Sequence, residues 1–217
     1  QRAKREAETA NAATEFMTSV FQTTDMIGLA GTGVLQEGEK PQLLTLEEVL
    51  RRASQRVRTE LQGQPLLQAR LMSTIGNINR SLGSYQDAQQ LLRESLDIRQ
   101  RELSASPEEG DQLAIADSQF NLAWLLHDLG NYKEAEPLYR EALAARMAVL
   151  QPTDSLVTTA KFNLAWLLVD SDQHAEAERL FREVLKIRRD TLPPGHRDLT
   201  LAEIGLAAML WTRGKHS

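Results

Sequence analysis

Apolar residues recur at three- and four-residue spacings along almost the whole chain, and glycine, proline and short polar clusters break the rhythm at intervals. That period predicts amphipathic helices joined by short turns. Residues 1–24 read as an N-terminal amphipathic helix, with Ala10, Ala13, Phe16, Met17, Val20 and Phe21 on one stripe. Such a stripe serves as a brace on the rest of the chain, a stalk, or a contact between copies. Residues 25–44 read as a loop punctuated by Gly28, Gly31, Gly33, Gly38 and Pro41. Gly31-Thr32-Gly33 is no dinucleotide fingerprint: no strand precedes it, no third glycine follows in register, and no helix opens behind it. Residues 45–65 read as a capping helix and its turn. Thr45-Leu46-Glu47-Glu48 has the form of a capping box, in which hydroxyl and carboxylate satisfy each other's backbone N–H groups. Leu46, Val49, Leu50, Ala53, Val57 and Leu61 share one side of that helix, Gly63 ends it, and Pro65 stands where a first-turn proline opens the next.

From residue 66 to 217 the pattern repeats. Phe120-Asn121-Leu122-Ala123-Trp124-Leu125-Leu126 returns unchanged as Phe162-Asn163-Leu164-Ala165-Trp166-Leu167-Leu168, a step of 42 residues. Ala135, Leu138, Tyr139, Arg140, Glu141 and Leu143 become Ala177, Leu180, Phe181, Arg182, Glu183 and Leu185 at the same step. An earlier unit lies 47 residues ahead, the extra length falling in the Ser104–Asp111 linker. Each unit is a helix A, a tight turn and a helix B. Gly83, Gly130 and Asp172 hold the turn position that asks for left-handed backbone. Arg99, Arg146 and Arg188 close the helix-B frame. Leu201–Thr212 reads as a last helix A, with Gly214 at the turn position. A period of this size implies an all-α, right-handed superhelical solenoid of antiparallel helix pairs, each unit burying its apolar face on its neighbours.

Composition narrows the chemistry. Zero cysteines excludes disulfides and thiolate metal sites, and a net charge of -5 argues against a nucleic-acid partner. No apolar run approaches the ~20 residues of a membrane span, so no membrane contact is expected within the sequence. A first residue of Gln is what a fragment of a longer protein would show. His127, His174, His196 and His216 never pair at the spacing that sets two imidazoles on one helix face. No nucleophile–base arrangement stands out, and Glu136–Arg140 and Glu178–Arg182 read as solvated i,i+4 pairs. Neither enzymatic activity nor a cofactor or metal is expected.

The recurring frame resembles the tetratricopeptide repeat. It is carried by Ile75, Gly76, Gly83, Tyr85, Ala88 and Leu92, then Leu122, Ala123, Gly130, Tyr132, Ala135, Tyr139 and Ala142, then Leu164, Ala165, Ala177, Phe181 and Val184. Asp172 and His174 depart from the frame's Gly and Tyr. The 42-residue step, the string from Tyr132 to Leu143 with Pro137 inside it, and Leu192-Pro193-Pro194-Gly195-His196 are similar to the kinesin-light-chain type, in which that proline bends helix B without breaking it. The front of the chain, through Glu15-Phe16-Met17 and Leu44–Leu50 to Gln64-Pro65, is similar to the region behind the kinase domain in bacterial serine/threonine protein kinases with such tails. No kinase signature is present, so that likeness implies a sensor or docking half. It also implies a cytoplasmic location or, beyond a membrane span, an extracytoplasmic one.

The resemblance implies a protein- or peptide-binding scaffold whose concave face is lined by helix A. In this register the face takes Arg70, Ser73, Thr74, Asn77 and Arg80, then Asp117, Phe120, Asn121, Trp124, His127 and Asp128. Thr159, Phe162, Asn163, Trp166 and Val169 follow, with Ile204, Ala208 and Trp211 last. Asn121 and Asn163 match the asparagine that holds a ligand backbone in peptide-binding members, since an amide both donates and accepts. Their structural alternative is a helix-cap or inter-repeat hydrogen bond. Trp124 and Trp166 read either as groove anchors or as repeated inter-repeat core. Arg70 and Arg80 would attract an acidic ligand, whereas Asp117, Asp128 and Asp170 oppose a uniformly basic groove. Phe16, Met17, Val20 and Phe21 could themselves occupy the face. The alternative function is a structural or self-association segment without an open groove.

Overall fold

The computed structural model describes Thr14, Thr18 and residues 45–103 and 109–216. Thr14 and Thr18 are helical and exposed, and the expected groove occupants around them, Phe16, Met17, Val20 and Phe21, lie outside the described residues. Among the described residues all regular structure is helical. The helices are α1 (Leu46–Glu60), α2 (Pro65–Ser81), α3 (Tyr85–Leu103), α4 (Glu109–Asp128), α5 (Tyr132–Val149), α6 (Ser155–Asp170), α7 (His174–Thr191) and α8 (Arg197–His216). They are antiparallel helix pairs joined by tight turns. The chain divides into two compact units, residues 1–102 and 103–217.

In the first unit, α1 begins as the sequence dictates. The Thr45 hydroxyl accepts the Glu48 N–H at 3.2 Å, and Pro65 opens α2. The reciprocal half of the capping box is redirected: the Glu48 carboxylate binds Arg51 and Arg52, one turn ahead. Those two guanidinium groups pull its pKa down to about 2. Leu50, Ala53, Val57 and Leu61 pack with Leu67, Leu71, Met72, Ile75, Leu91 and Ile98 into one core. Two polar ties fix α3 to this pair. The buried Ser95 hydroxyl donates to the Ala69 carbonyl at 2.7 Å, and Arg58 forks onto Glu94 at 2.9 and 3.0 Å.

The second unit stacks α4 through α8 in chain order, each helix packed on the next, with α4 also touching α6 and α6 touching α8. Helices α4, α6 and α8 are thus the A series and α5 and α7 the B series. Tyr139 and Phe181, the aromatic residues of the B frame, are fully buried. Each contributes on the order of 2–3 kcal/mol of apolar burial. The Asp154 carboxylate caps α6 by accepting the Leu156 N–H at 2.8 Å. One 42-residue step on, His196 Nδ1 accepts the Asp198 N–H at 3.1 Å and caps α8.

The turns are chemically alike. Gly83, Gly130 and Asp172 have φ of 81°, 73° and 61°. The following N–H reaches back five residues: Ser84 to the Asn79 carbonyl, Asn131 to Leu126 and Gln173 to Leu168. This satisfies the orphan carbonyls at a helix end. Pro137 sits inside an unbroken α5. Three expectations change. Gly214 makes no turn, because α8 runs through it to His216. Glu109, Gly110 and Asp111 belong to α4 rather than to a linker. Glu178 is buried, so its pair with Arg182 is not a solvated one.

Candidate functional site

Helices α4, α6 and α8 place their side chains in two layers. Phe120 is buried, packed edge-on against Tyr139 at 5.4 Å and Trp124 at 6.1 Å. Phe162 and Trp166 are half-buried and lean on each other and on Phe181, with centroids 5.4–6.3 Å apart. Trp124 is 37% exposed, Ile204 54% and Trp211 65%. The two tryptophans of the repeated heptapeptide therefore have different surroundings. Trp166 spends its ring on the B-helix aromatic Phe181, whereas Trp124 is more open.

Asn121 and Asn163 are both half-buried. Asn163 donates from Nδ2 to the Thr159 carbonyl one turn back at 2.9 Å, neither capping a helix nor bridging repeats. His127 does bridge repeats: its Nε2 lies 2.8 Å from Asp170 Oδ2 at the far end of α6. Its ring meets Tyr132 and Tyr139 edge-on. Ser73, Val169 and Phe120, placed on the open face by register, are buried instead. Arg70, Asn77 and Arg80 all lie on α2 in the first unit, and the rest of the set lies on α4, α6 and α8 in the second. Arg70 is exposed, while the buried Asn77 Oδ1 has no hydrogen-bond partner among the described residues.

The helix-B arginines stand in the repeat frame of the sequence, and the fold shows what they hold. Arg146 is only 3% exposed. Its guanidinium lies 4.5 Å from the Phe120 ring centroid, donates from Nη1 to the Leu156 carbonyl at 3.0 Å and from Nη2 to Asp117 at 2.8 Å. Arg188 repeats the arrangement over Phe162 at 4.9 Å, with Nη1 on the Asp198 carbonyl at 2.8 Å. Each arginine thereby ties a helix B to the second residue of the next helix A, while covering the phenylalanine beneath it. The signal was the shared register of Arg with Phe, legible only once the helix pair is folded.

Between α5, α6 and α7 lies a cavity of about 280 Å³ floored by Leu143, Leu164 and Leu180 and edged by Arg140, Lys161, Glu176, Arg179 and Glu183. Its charges are matched. Arg140 forks onto Glu176 at 2.9 and 2.8 Å and also takes Glu136 at 2.9 Å, while Lys161 meets Glu183 at 3.0 Å. The Arg140 bonds raise its own pKa and hold Glu176 below the usual carboxylate range. A mesh that satisfies itself this way holds helices together. In the first unit a cavity of about 380 Å³ is edged by Arg58, Glu94, Asp97 and Arg101. Among the described residues no group of three or more His, Asp or Glu could hold a metal ion. No described helix is long and apolar enough to cross a membrane.

Antiparallel helix pairs closed by the same turn and presenting an A-helix face define a helical-repeat protein. Two family models described as tetratricopeptide repeat match residues 112–190 and 68–108, together more than half of the chain. The chain belongs to the tetratricopeptide-repeat proteins. Solved structures with the same fold include BtubC (BKLC) from P. vanneervenii, at 22% identity and a TM-score of 0.64 over 77% of this chain and 65% of that one. The nearly identical TPR-like repeats of a Podosopora anserina protein described as kinesin light chain match at 20% identity and a TM-score of 0.62, over 77% of each chain. The apo form of RapI matches at 14% identity and 0.62, over 78% of this chain and 45% of that one. The chain thus spans somewhat less than two thirds of BtubC and under half of RapI. No curated protein matches it in sequence.

Proposed function

We propose that the chain is a non-catalytic scaffold that binds an extended protein segment along the face of α4, α6 and α8. The observation that carries this reading is the exposure of Trp124, Ile204 and Trp211 on that one series of helices, beside the half-buried amides of Asn121 and Asn163. Aromatic and branched apolar residues left open amid polar groups are where affinity concentrates in protein interfaces. In the first unit, Arg70, Asn77 and Arg80 offer a second short series on α2. The ligand is a peptide or protein, with no cofactor, metal or nucleic acid involved. Display selection of random peptides on the full chain tests this. Recovered peptides should lose affinity at least about tenfold in Trp124→Ala, the loss of one good anchor. Unchanged affinity in both Trp124→Ala and Asn121→Ala would overturn the placement.

The 42-residue step and the Pro-Pro-Gly-His linker support the kinesin-light-chain type as the finer classification. Likeness of the front of the chain to kinase tails supports a docking or sensor role within a larger signalling kinase. Finding no kinase domain encoded upstream of Gln1 would overturn that role. A second reading, self-association, draws on α8, where Leu201, Ile204, Leu210 and Trp211 are all exposed. It predicts a concentration-dependent dimer in sedimentation equilibrium that Trp211→Glu dissolves; a monomer at every concentration would refute it.

A further inference from the structure

The two arginine clasps of the second unit differ in one partner. Arg146 uses both ends of its guanidinium, Nη1 on the Leu156 carbonyl and Nη2 on the Asp117 carboxylate at 2.8 Å. Arg188 occupies the same place one 42-residue step later, 6% exposed, over the equivalent ring and on the equivalent carbonyl. Thr159 stands where Asp117 stood. A threonine bears no charge, and no carboxylate lies within ion-pair distance of Arg188 among the described residues. Desolvation consequently lowers the Arg188 pKa, with only the more distant Asp198 carboxylate opposing it. A largely buried guanidinium without an ion-pair partner in contact is unfavourable, and it gains most from a carboxylate that meets the N–H groups its carbonyl bond does not use.

We infer that the Arg188 guanidinium, beside Thr159 and Phe162, is a subsite for the side-chain carboxylate of an aspartate or glutamate in the docked segment. The carboxylate takes the seat that Asp117 fills within the preceding repeat. The subsite rests on the scaffold reading above and gives it a chemical preference: an acidic residue reaching the start of α6, with apolar residues toward Trp124 and Trp211. The repeat with Asp117 is closed within itself, and the repeat with Thr159 is left open for a ligand.

The test is the Arg188 Nε–Hε NMR signal of the full chain, assigned by its disappearance in Arg188→Lys, at constant ionic strength. The probes are N-acetyl-glutamate amide, N-acetyl-glutamine amide and N-acetyl-alanine, the last carrying only a terminal carboxylate. The glutamate probe should shift the signal saturably and the glutamine probe should not, while the Arg146 signal stays still. In Thr159→Asp, which restores the intramolecular pair, the response should weaken at least about tenfold, as expected for a lost charge-assisted contact. Thr159→Asp should also raise Tm, a readout independent of any ligand. No shift with the glutamate probe, an equal shift with glutamine, or an undiminished shift in folded Thr159→Asp would overturn the subsite. A response to N-acetyl-alanine alone would overturn its assignment to an acidic side chain. Selected peptides that bind while Arg188 ignores the probe would sink the subsite and leave the scaffold standing. The reverse outcome would sink the scaffold and leave the subsite.

Discussion

Gly205 and Gly214 lie on the same helix, and the structure predicts opposite outcomes for the same substitution at the two. A Cβ built on Gly205 would come within 2.6 Å of Phe181 Cε1, 3.1 Å of Cδ1 and 3.2 Å of Cζ. Phe181 is fully buried, wedged against Phe162 and Trp166, so its ring cannot retreat without moving its neighbours. Overpacking of this kind costs roughly 1–3 kcal/mol. The gain in helix propensity from Gly to Ala returns about 1 kcal/mol. Gly205→Ala should therefore destabilise by up to about 2 kcal/mol net of these two. At Gly214 a Cβ meets nothing within 4 Å, so only the propensity gain remains, fading toward the helix end. Gly214→Ala should stabilise by up to about 1 kcal/mol. Urea unfolding followed by circular dichroism measures both. Gly205→Ala more stable than the parent would show that α7 does not press on α8 as described. A destabilising Gly214→Ala would show that the helix does not run through that position.

Three further outcomes follow from local geometry. Asp172 is the one turn residue of the three that pays for a side chain at positive φ, so Asp172→Gly should stabilise by about 0.5–1 kcal/mol in the same unfolding assay; a loss would mean its long 3.6 Å contact with His174 matters more than the backbone. His196 caps α8 through a ring nitrogen where Asp154 caps α6 through a carboxylate, and His196→Asp should add about 0.5–1 kcal/mol, with an unchanged or lower Tm as the contrary result. The Glu48 carboxyl should titrate near 2 by carbon NMR. Because its folded pKa is depressed, its contribution to stability is present above the unfolded carboxylate pKa and is lost as pH falls through about 2. A midpoint at the ordinary Glu value would refute the double arginine contact.

Much of the fold is legible in the sequence because its causes are local and repeated. A positive-φ position must be glycine or a tolerant polar residue, and Gly83, Gly130 and Asp172 announce the turns by type and spacing. Thr45 and Pro65 announce helix starts for the same reason. Gly214 misleads, since a glycine permits a turn without requiring one, and nothing local distinguishes the two uses. Glu178 misleads differently: i,i+4 spacing to Arg182 says which residues meet, and only the packed helix says that one of them is buried. The face of α4, α6 and α8 follows from register, but which of its residues turn inward does not. Phe120 goes under because Tyr139 and Arg146 enclose it from another helix. The identical Trp124 and Trp166 separate because their surroundings, not their repeat, set their exposure. The Asp117-to-Thr159 difference stands in the sequence, yet it acquires meaning only when the folded Arg146 is seen to reach Asp117.

The central claim is that ligands lie along α4, α6 and α8, and amide hydrogen exchange on the full chain with a display-selected peptide tests it most directly. The account predicts slowed exchange confined to those helices, strongest around Trp124, Asn163 and the first half of α8. Protection confined to α5 and α7, along the cavity edged by Arg140 and Glu183, would contradict it.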